Sequence, residues 1–281
     1  MDQEKFFSHY PKRLSDSNKF DNGRIFLIAG SCGMAGACIL NIIGARSVGT
    51  SYIDVLLPRD IYPIVASNEI TSVYHPDDLD CDQIDLPALS KAGAVAFGSG
   101  LTNHPKKESY LGYVLRTVKV STVIDAEGLR ILARHPELYT TNTNMILTPH
   151  LGEFCDLTGL SIEEIKKDRI GIASRFAKEH KVILVLKGPD SLIVNTDGSY
   201  TVNDSGNEAL ARAGSGDVLT GMIAGLCSLY HDPYQATVDA VWLHGHLADE
   251  AIKIHSKEVF DLCRYPEYAD RFFFQRQKQT N

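Results

Sequence analysis

Short apolar runs recur along the chain at residues 25–29, 52–57, 94–97, 122–124, 145–147 and 181–186, and most are followed by apolar positions at helical spacing. Runs this short and this unbroken fit strands buried on both faces, because a strand with one wet face alternates. The segment after Pro105 fits a helix to about residue 118, and Ser161-Ile-Glu-Glu164 is a capping box that predicts a helix to about residue 180. Residues 192–195 and 200–203 flank Asp197-Gly198, which predicts a hairpin and so antiparallel strands late in the chain. The last third then turns helical, over about 216–229 and, with Asp232-Pro233 as cap and first residue, to about 254. This alternation predicts an α/β fold, a three-layer α/β/α sandwich around a mostly parallel sheet. Without a repeat, a low-complexity tract or a linker, one domain over 1–281 is expected.

Composition narrows the function. A chain of 281 residues, 44% of them hydrophobic, can bury a sizeable core. Its net charge of -7 argues against a general nucleic-acid or anionic-membrane surface and for a small-molecule substrate. Cys32, Cys38, Cys81, Cys155, Cys227 and Cys263 form no CxxC pair, so buried free thiols in a reducing compartment are expected. Charges from Asp2 onward leave no apolar signal core, and no long uncharged run is present, so a cytoplasmic location is expected.

The candidate chemistry is densest over residues 203–217, which pass from a strand through glycines into an apolar helix. Gly214 and Gly216 let the backbone approach a ligand, and the free amides of a helix start attract phosphate oxygens. Asp217 stands in this turn either as a cap or as the base that takes a proton from an attacking hydroxyl. Lys187-Gly188 ends the run at 181–186, where an open parallel sheet gathers ligands, and His150 follows the run at 145–147 in the same way. Gly30-Ser-Cys-Gly-Met-Ala-Gly36 reads GxxGxxG, not the dinucleotide GxGxxG, although Asp54 on the next run offers a ribose contact. Ser31 misses the nucleophile-elbow pattern, and a Walker A lysine, HExxH and paired CxxC motifs are absent.

Gly206-Asn207, Leu210-Ala211 and Gly214-Ser-Gly-Asp-Val-Leu-Thr-Gly221 resemble the signature of the ADP/ATP-dependent NAD(P)H-hydrate dehydratases of the ribokinase-like superfamily. Pro11-Lys-Arg13, Ser17-Asn-Lys19, Gly23-Arg24, Gly30-Ser31, Gly36-Ala37 and Ala45-Arg-Ser47 resemble the opening blocks of that family. Asp125-Ala126, Thr148-Pro-His-Leu-Gly-Glu153, Val185-Leu-Lys-Gly188 and Leu243-His-Gly245 resemble its later blocks, in order. The likeness runs over about 11–254 and leaves the aromatic Phe272-Phe-Phe274 end unassigned. The chain departs from the pattern with Ala213 and Ser215 for Gly and Thr, Glu127 for Asp and Leu151 for Pro. Of these, Glu127 bears on a solvent or metal network near the phosphates.

The resemblance implies a ribokinase-like fold and the repair of (6S)-hydrated NADH or NADPH, with ADP or ATP as phosphoryl donor and Mg2+ as cofactor. It implies Asp217 as catalytic base and Ala37, Gly100, His150 and Asp217 as contacts to the hydrated cofactor. It assigns Lys187, Gly188, Pro189, Asp190, Ser191, Gly214, Ser215 and Gly216 to the nucleotide, the amides of Gly214, Ser215, Gly216 and Asp217 to an anion hole, and Glu153 to magnesium through water. It also implies a homotetramer, linked in function to a separate NAD(P)H-hydrate epimerase. The alternatives are a ribokinase-fold kinase of a vitamin precursor such as hydroxymethylpyrimidine, a Rossmann oxidoreductase, and a nucleotide-binding sensor without turnover.

Overall fold

The structure, a computed structural model, describes residues 1–77, 87–102 and 105–279; Cys81 lies outside the described residues. Among these, nine strands form one sheet in the order β3-β2-β1-β4-β5-β6-β7-β8-β9. β1 (Arg24–Ile28), β2 (Tyr52–Leu57), β3 (Val73–Pro76), β4 (Ala94–Phe97), β5 (Ser121–Ile124), β6 (Met145–Leu147) and β7 (Ile183–Leu186) are parallel. β8 (Leu192–Val194) and β9 (Tyr200–Val202) add the expected antiparallel hairpin.

Alternate residues of each central strand enter two separate cores. Ile25 and Leu27 face one, and Phe26 and Ile28 face the other, all at most 1% exposed. Burial on both faces is why these strands read as unbroken apolar runs. The first core is closed by α1 (Gln3–His9), α2 (Ala35–Ser47), α3 (Tyr62–Asn68), α10 (Ser215–Cys227), α11 (Pro233–Ala251) and α12 (Tyr265–Gln279). The second is closed by α4 (Pro87–Ser90), α5 (Pro105–Thr117), α6 (Glu127–Arg134), α7 (Leu151–Thr158), α8 (Ile162–Lys167) and α9 (Arg169–His180). The result is the expected three-layer sandwich.

Several expectations need correction. The helix expected over 161–180 is two helices, because Asp168 interrupts it and caps α9 by accepting from the Gly171 amide at 3.0 Å. Strand β3 and the terminal helices α1 and α12 were not expected. The aromatic end joins the core through Phe272, which is 3% exposed and stacks on Phe7 at 4.9 Å beside Phe6 and Trp242, while Phe274 is exposed. The described cysteines are free, but only Cys38 and Cys227 are buried; Cys32, in a turn, and Cys263, in the short 3-10 helix Leu262–Arg264, are exposed. No described helix is long and apolar enough to cross a membrane.

One contact matters most for the site. A methyl group on Gly221 would lie 2.0 Å from the Asn41 carbonyl oxygen, and one on Gly44 would lie 2.0 Å from that of Val218. Backbone therefore meets backbone where α10 crosses α2, a separation only glycine permits. The start of α10 is thereby locked to α2, whose own start follows the loop from β1.

Candidate active site

β1 lies between β2 and β4, and its connection passes through α2 on one face while that of β4 passes through α5 on the other. The two loops therefore diverge and open a crevice beyond the carboxyl ends of the strands. At its wall the Ser31 hydroxyl donates to the Gly100 carbonyl at 2.7 Å, and the Gly30 amide donates to Ser99 O at 2.9 Å. Gly100 has a φ of 66°, and a Cβ there would stand 2.6 Å from that of Ala37. The fold thus brings Ala37 and Gly100 together. Asp54 is excluded as a ribose contact, because it is 1% exposed and held by Arg24 at 2.8 Å and His75 at 2.9 Å.

Farther along the sheet the walls become charged. Asp125, the residue after β5, accepts from Lys187 Nζ at 3.0 Å, Thr148 Oγ1 at 2.9 Å and Ser99 Oγ at 3.3 Å. Ala126 then takes a φ of 48°, strain that turns the chain sharply from β5 into α6 and is worth about 1–3 kcal/mol. Lys187 Nζ is also 3.9 Å from Glu153 Oε2 and 3.2 Å from where a Gly216 Cβ would stand. One ammonium therefore joins the ends of β5 and β7 to the helix start.

His150 and Glu153 form a capping box on α7: the Glu153 amide donates to His150 Nδ1 at 3.1 Å, and the His150 amide donates to Glu153 Oε2 at 2.9 Å. The cap fixes the ring at Nδ1, Nε2 lies 3.5 Å from Glu153 Oε1, and 57% of the side chain stays exposed. Glu127 points elsewhere, to Arg134 at 3.0 Å and Arg130 at 3.5 Å, so its carboxylate is committed to the arginines of its own helix.

Gly214, with a φ of 94°, is the N-cap of α10 and supplies no side-chain bond, which leaves Asp217 as the third helical residue, not the cap. The Asn41 amide group anchors the Asp217 carbonyl at 3.1 Å, while the Ser215 amide makes only a 3.4 Å bond to Arg212 O. Burial, followed by repulsion from Asp125, lifts the Asp217 carboxyl to about 7 against the pull of Lys187 and Ser99. At Lys187 burial works against the charge, but Asp125, Glu153 and Asp217 outweigh it and raise the pKa. The cluster thus holds a permanent cation and a carboxylate poised to exchange a proton near neutrality.

Gly188, Pro189 and Asp190 form an exposed turn after Lys187. Ser191 Oγ closes it by donating to Gly188 O at 2.9 Å, and Arg169 steadies it by donating to Asp190 O at 3.0 Å. Among the described residues no group of three His, Cys, Asp or Glu side chains could cage a metal. A cation held largely by nucleotide oxygens and water needs no such cage.

Sequence reasoning gave no role to Asp125, Ser99, Thr148 or His244, the last of which lies behind Ser215. Asp125 had two usable signals, its place directly after a strand, the same signal that singled out Lys187, and its place in the resembling Asp125-Ala126 block.

Strand order, glycine turn and charged cluster belong to an α/β protein with a ribokinase-like fold. A ribokinase-like superfamily protein from Enterococcus faecalis shares the fold with a TM-score of 0.84 at 22% identity, covering 97% of this chain and 95% of that one. The model of the NAD(P)H-hydrate dehydratase family matches residues 25–267, and the chain belongs to that family. The match runs past residue 254, where the resemblance was expected to end. The ADP-dependent (S)-NAD(P)H-hydrate dehydratase of Bacillus subtilis is 32% identical over 246 residues, covering 88% of this chain and 87% of the relative. The crystal structure of the ADP/ATP-dependent enzyme from Bacillus subtilis, co-crystallised with ATP and Mg2+, superposes with a TM-score of 0.85 at 28% identity, covering 98% and 97%. A bifunctional NAD(P)H-hydrate repair enzyme of Moorella thermoacetica is 34% identical over 276 residues, 94% of this chain but 52% of that protein. The chain therefore spans about half the length of its bifunctional relatives. The family favours hydrate repair over a vitamin-precursor kinase.

Proposed function

We propose that the chain acts as one ribokinase-like domain that returns hydrated NADH or NADPH, in the (6S) form, to the reduced cofactor at the expense of ADP or ATP. The observation that carries this reading is Asp217, half-buried at the start of α10 with a pKa near 7, beside the Lys187 ammonium. In the reaction the C6 hydroxyl gives its proton to Asp217 as its oxygen takes the terminal phosphoryl group, leaving AMP from ADP or ADP from ATP. The C6–O bond then breaks with phosphate as leaving group, and a proton leaves the neighbouring ring carbon as the double bond returns.

Lys187 and the turn from Gly188 to Ser191 hold the nucleotide, with the charge of Lys187 drawn from Asp125 toward phosphate. The amides of Gly214, Ser215, Gly216 and Asp217 stabilise the charge of the transferring group. Ala37 and Gly100 shape the pocket for the hydrated ring, and His150 contacts it through its open edge. Magnesium, when bound, neutralises nucleotide phosphates, and Glu153 suits a water-mediated role because its own oxygens are engaged by His150. A cytoplasmic homotetramer working alongside a separate epimerase completes the proposal.

The test is incubation with hydrated NADH, magnesium and either ADP or ATP, following recovery of the near-ultraviolet absorbance of reduced nicotinamide. Recovery with at least one donor is expected. Failure with both, in a protein that still binds nucleotide, would leave the sensor reading in its place.

A further inference from the structure

Behind the anion turn lies a group with no part in the scheme above. His244, on α11, is 7% exposed, and its Nε2 lies 3.4 Å from Ser215 Oγ. The Tyr265 hydroxyl donates to the His244 carbonyl at 3.0 Å, and its ring stacks on the imidazole at 5.3 Å with 14° between planes. Phe260 meets Tyr265 edge-on at 5.9 Å. Arg212 ties this layer to the turn, bonding the Phe260 carbonyl and donating to Lys257 O at 2.9 Å and to Ala209 O at 2.7 Å. The segment from Lys257 to the start of α12 therefore backs the turn, through Arg212, through Leu262 against Gly214, and through the stack of Tyr265 on His244.

Serine needs such a partner more than threonine does. Its hydroxyl has three open rotamers, whereas a β-branched side chain is stiff at χ1. The direction of the bond also matters. If the Ser215 hydroxyl donated to the ring, its oxygen would present only lone pairs to a phosphate. If the ring donates, the Ser215 hydrogen is free to point at the anion. Burial, opposed by contact with the Ser215 backbone and reinforced by Lys187, holds the His244 pKa down to about 4, so the ring carries one hydrogen at neutral pH.

We propose that His244 is a positioning residue: as the Nε2–H tautomer it donates to Ser215 Oγ and frees the Ser215 O–H to donate to a phosphate oxygen of the bound nucleotide. This rests on the assignment of the turn to the nucleotide. The experiment is a double-mutant cycle with His244→Leu, Ser215→Ala and both together, read as calorimetric affinity for MgADP and MgATP and for hydrated NADH. Long-range proton–nitrogen NMR of the parent reads the His244 tautomer.

Each single variant should weaken nucleotide about tenfold, the scale of one hydrogen bond, and leave affinity for hydrated NADH within about threefold. The double variant should bind no more weakly than Ser215→Ala alone. His244→Gln, which keeps an N–H donor, should restore most of the affinity. Additive losses, equal loss of both ligands, or an Nδ1–H tautomer would overturn the proposal. If His244→Leu does not fold, the tautomer and the His244→Gln and Ser215→Ala affinities decide. A parent that binds nucleotide without repairing hydrated NADH ends the functional reading while the cycle still judges His244; a parent that binds neither nucleotide ends both.

Discussion

The loop leaving β1 and the turn entering α10 are both glycine-rich, both precede helices, and are held together by the backbone contact of α2 with α10. Their surroundings differ. Around the first, polar groups are spent on each other: Ser31 on Gly100, the Gly30 amide on Ser99 O. Around the second stand Asp125, Glu153, Asp217 and Lys187, close enough that the pKa values of Asp217 and Lys187 are both raised. A loop that has satisfied its own hydrogen bonds can shape a pocket but has little to move a proton with. Glycine content therefore gives backbone access in both loops, and the neighbouring strand ends decide which of them can perform chemistry.

The strongest way to break this contrast is Asp217→Asn, which preserves size and hydrogen bonding while removing the base. The rate of repair should fall by about 10²- to 10⁴-fold with affinity for both ligands nearly intact, since a group acting in the transition state lowers turnover more than binding. In the parent, kcat/KM should rise as pH passes through about 7, because Asp217 must be ionised to accept the proton. A variant that repairs hydrated NADH at close to the parent rate would remove Asp217 from the mechanism.

A smaller effect is expected at Lys187, the only cation among the described residues in the cluster of Asp125, Glu153 and Asp217. Lys187→Ala should weaken nucleotide by about 10- to 100-fold while changing affinity for hydrated NADH much less, because a buried charge-assisted contact is worth about 1.5–3 kcal/mol. Calorimetry with each ligand separates the two. Equal losses would mean that Lys187 serves chiefly to neutralise Asp125, which would otherwise be a buried carboxylate without a cation.

The sheet was legible because its central strands are buried on both faces and so appear as unbroken apolar runs, and Lys187 and His150 followed from standing at their ends. β3 was not legible, since its four residues are all partly or fully exposed at the sheet edge. Nor was α12, although its buried Tyr265, Tyr268, Ala269 and Phe272 hold a helical spacing. Asp125 was missed for a different reason. Its partners Ser99, Thr148 and Lys187 are 26, 23 and 62 residues away and arrive from three strands, so no local spacing announces the cluster. His244 lies in the resembling Leu243-His-Gly245 block, but its partners Ser215 and Tyr265 meet it only through the crossing of α10, α11 and α12.

His150 tests where the neutral and charged regions meet. His150→Ala should raise the KM for hydrated NADH by a few-fold with nucleotide affinity almost unchanged, but it also removes the cap of α7, worth about 0.5–2 kcal/mol. His150→Asn separates the causes, since asparagine caps as well and lacks the open ring edge. If Asn restores cofactor use along with melting temperature, the histidine is a cap and the hydrated ring is recognised elsewhere.

The smallest effect concerns stability, and it follows from the sign of the Asp217 shift. Folding raises its pKa from the ordinary 3.8 to about 7, so the native state disfavours the ionised form. Below about pH 4 the carboxyl is protonated whether the chain is folded or not, and the shift costs nothing. As pH rises from there the unfolded chain ionises first, stability declines, and the loss is complete once pH exceeds about 7. Asp217→Asn removes this penalty, while at high pH it also takes one anion from Lys187, which offsets part of the gain. Thermal melts should therefore show the variant a few degrees more stable than the parent at pH 8 and nearly equal to it at pH 4, a shift of about 1 kcal/mol in a protein of this size. A charged region held for catalysis should carry such a cost, whereas the neutral loop after β1 should show none: Ser31→Ala should shift melting by the same amount at both pH values. Equal gains for Asp217→Asn at pH 4 and pH 8 would show that the variant acts by packing, and that the carboxyl is not held near 7 in the folded protein.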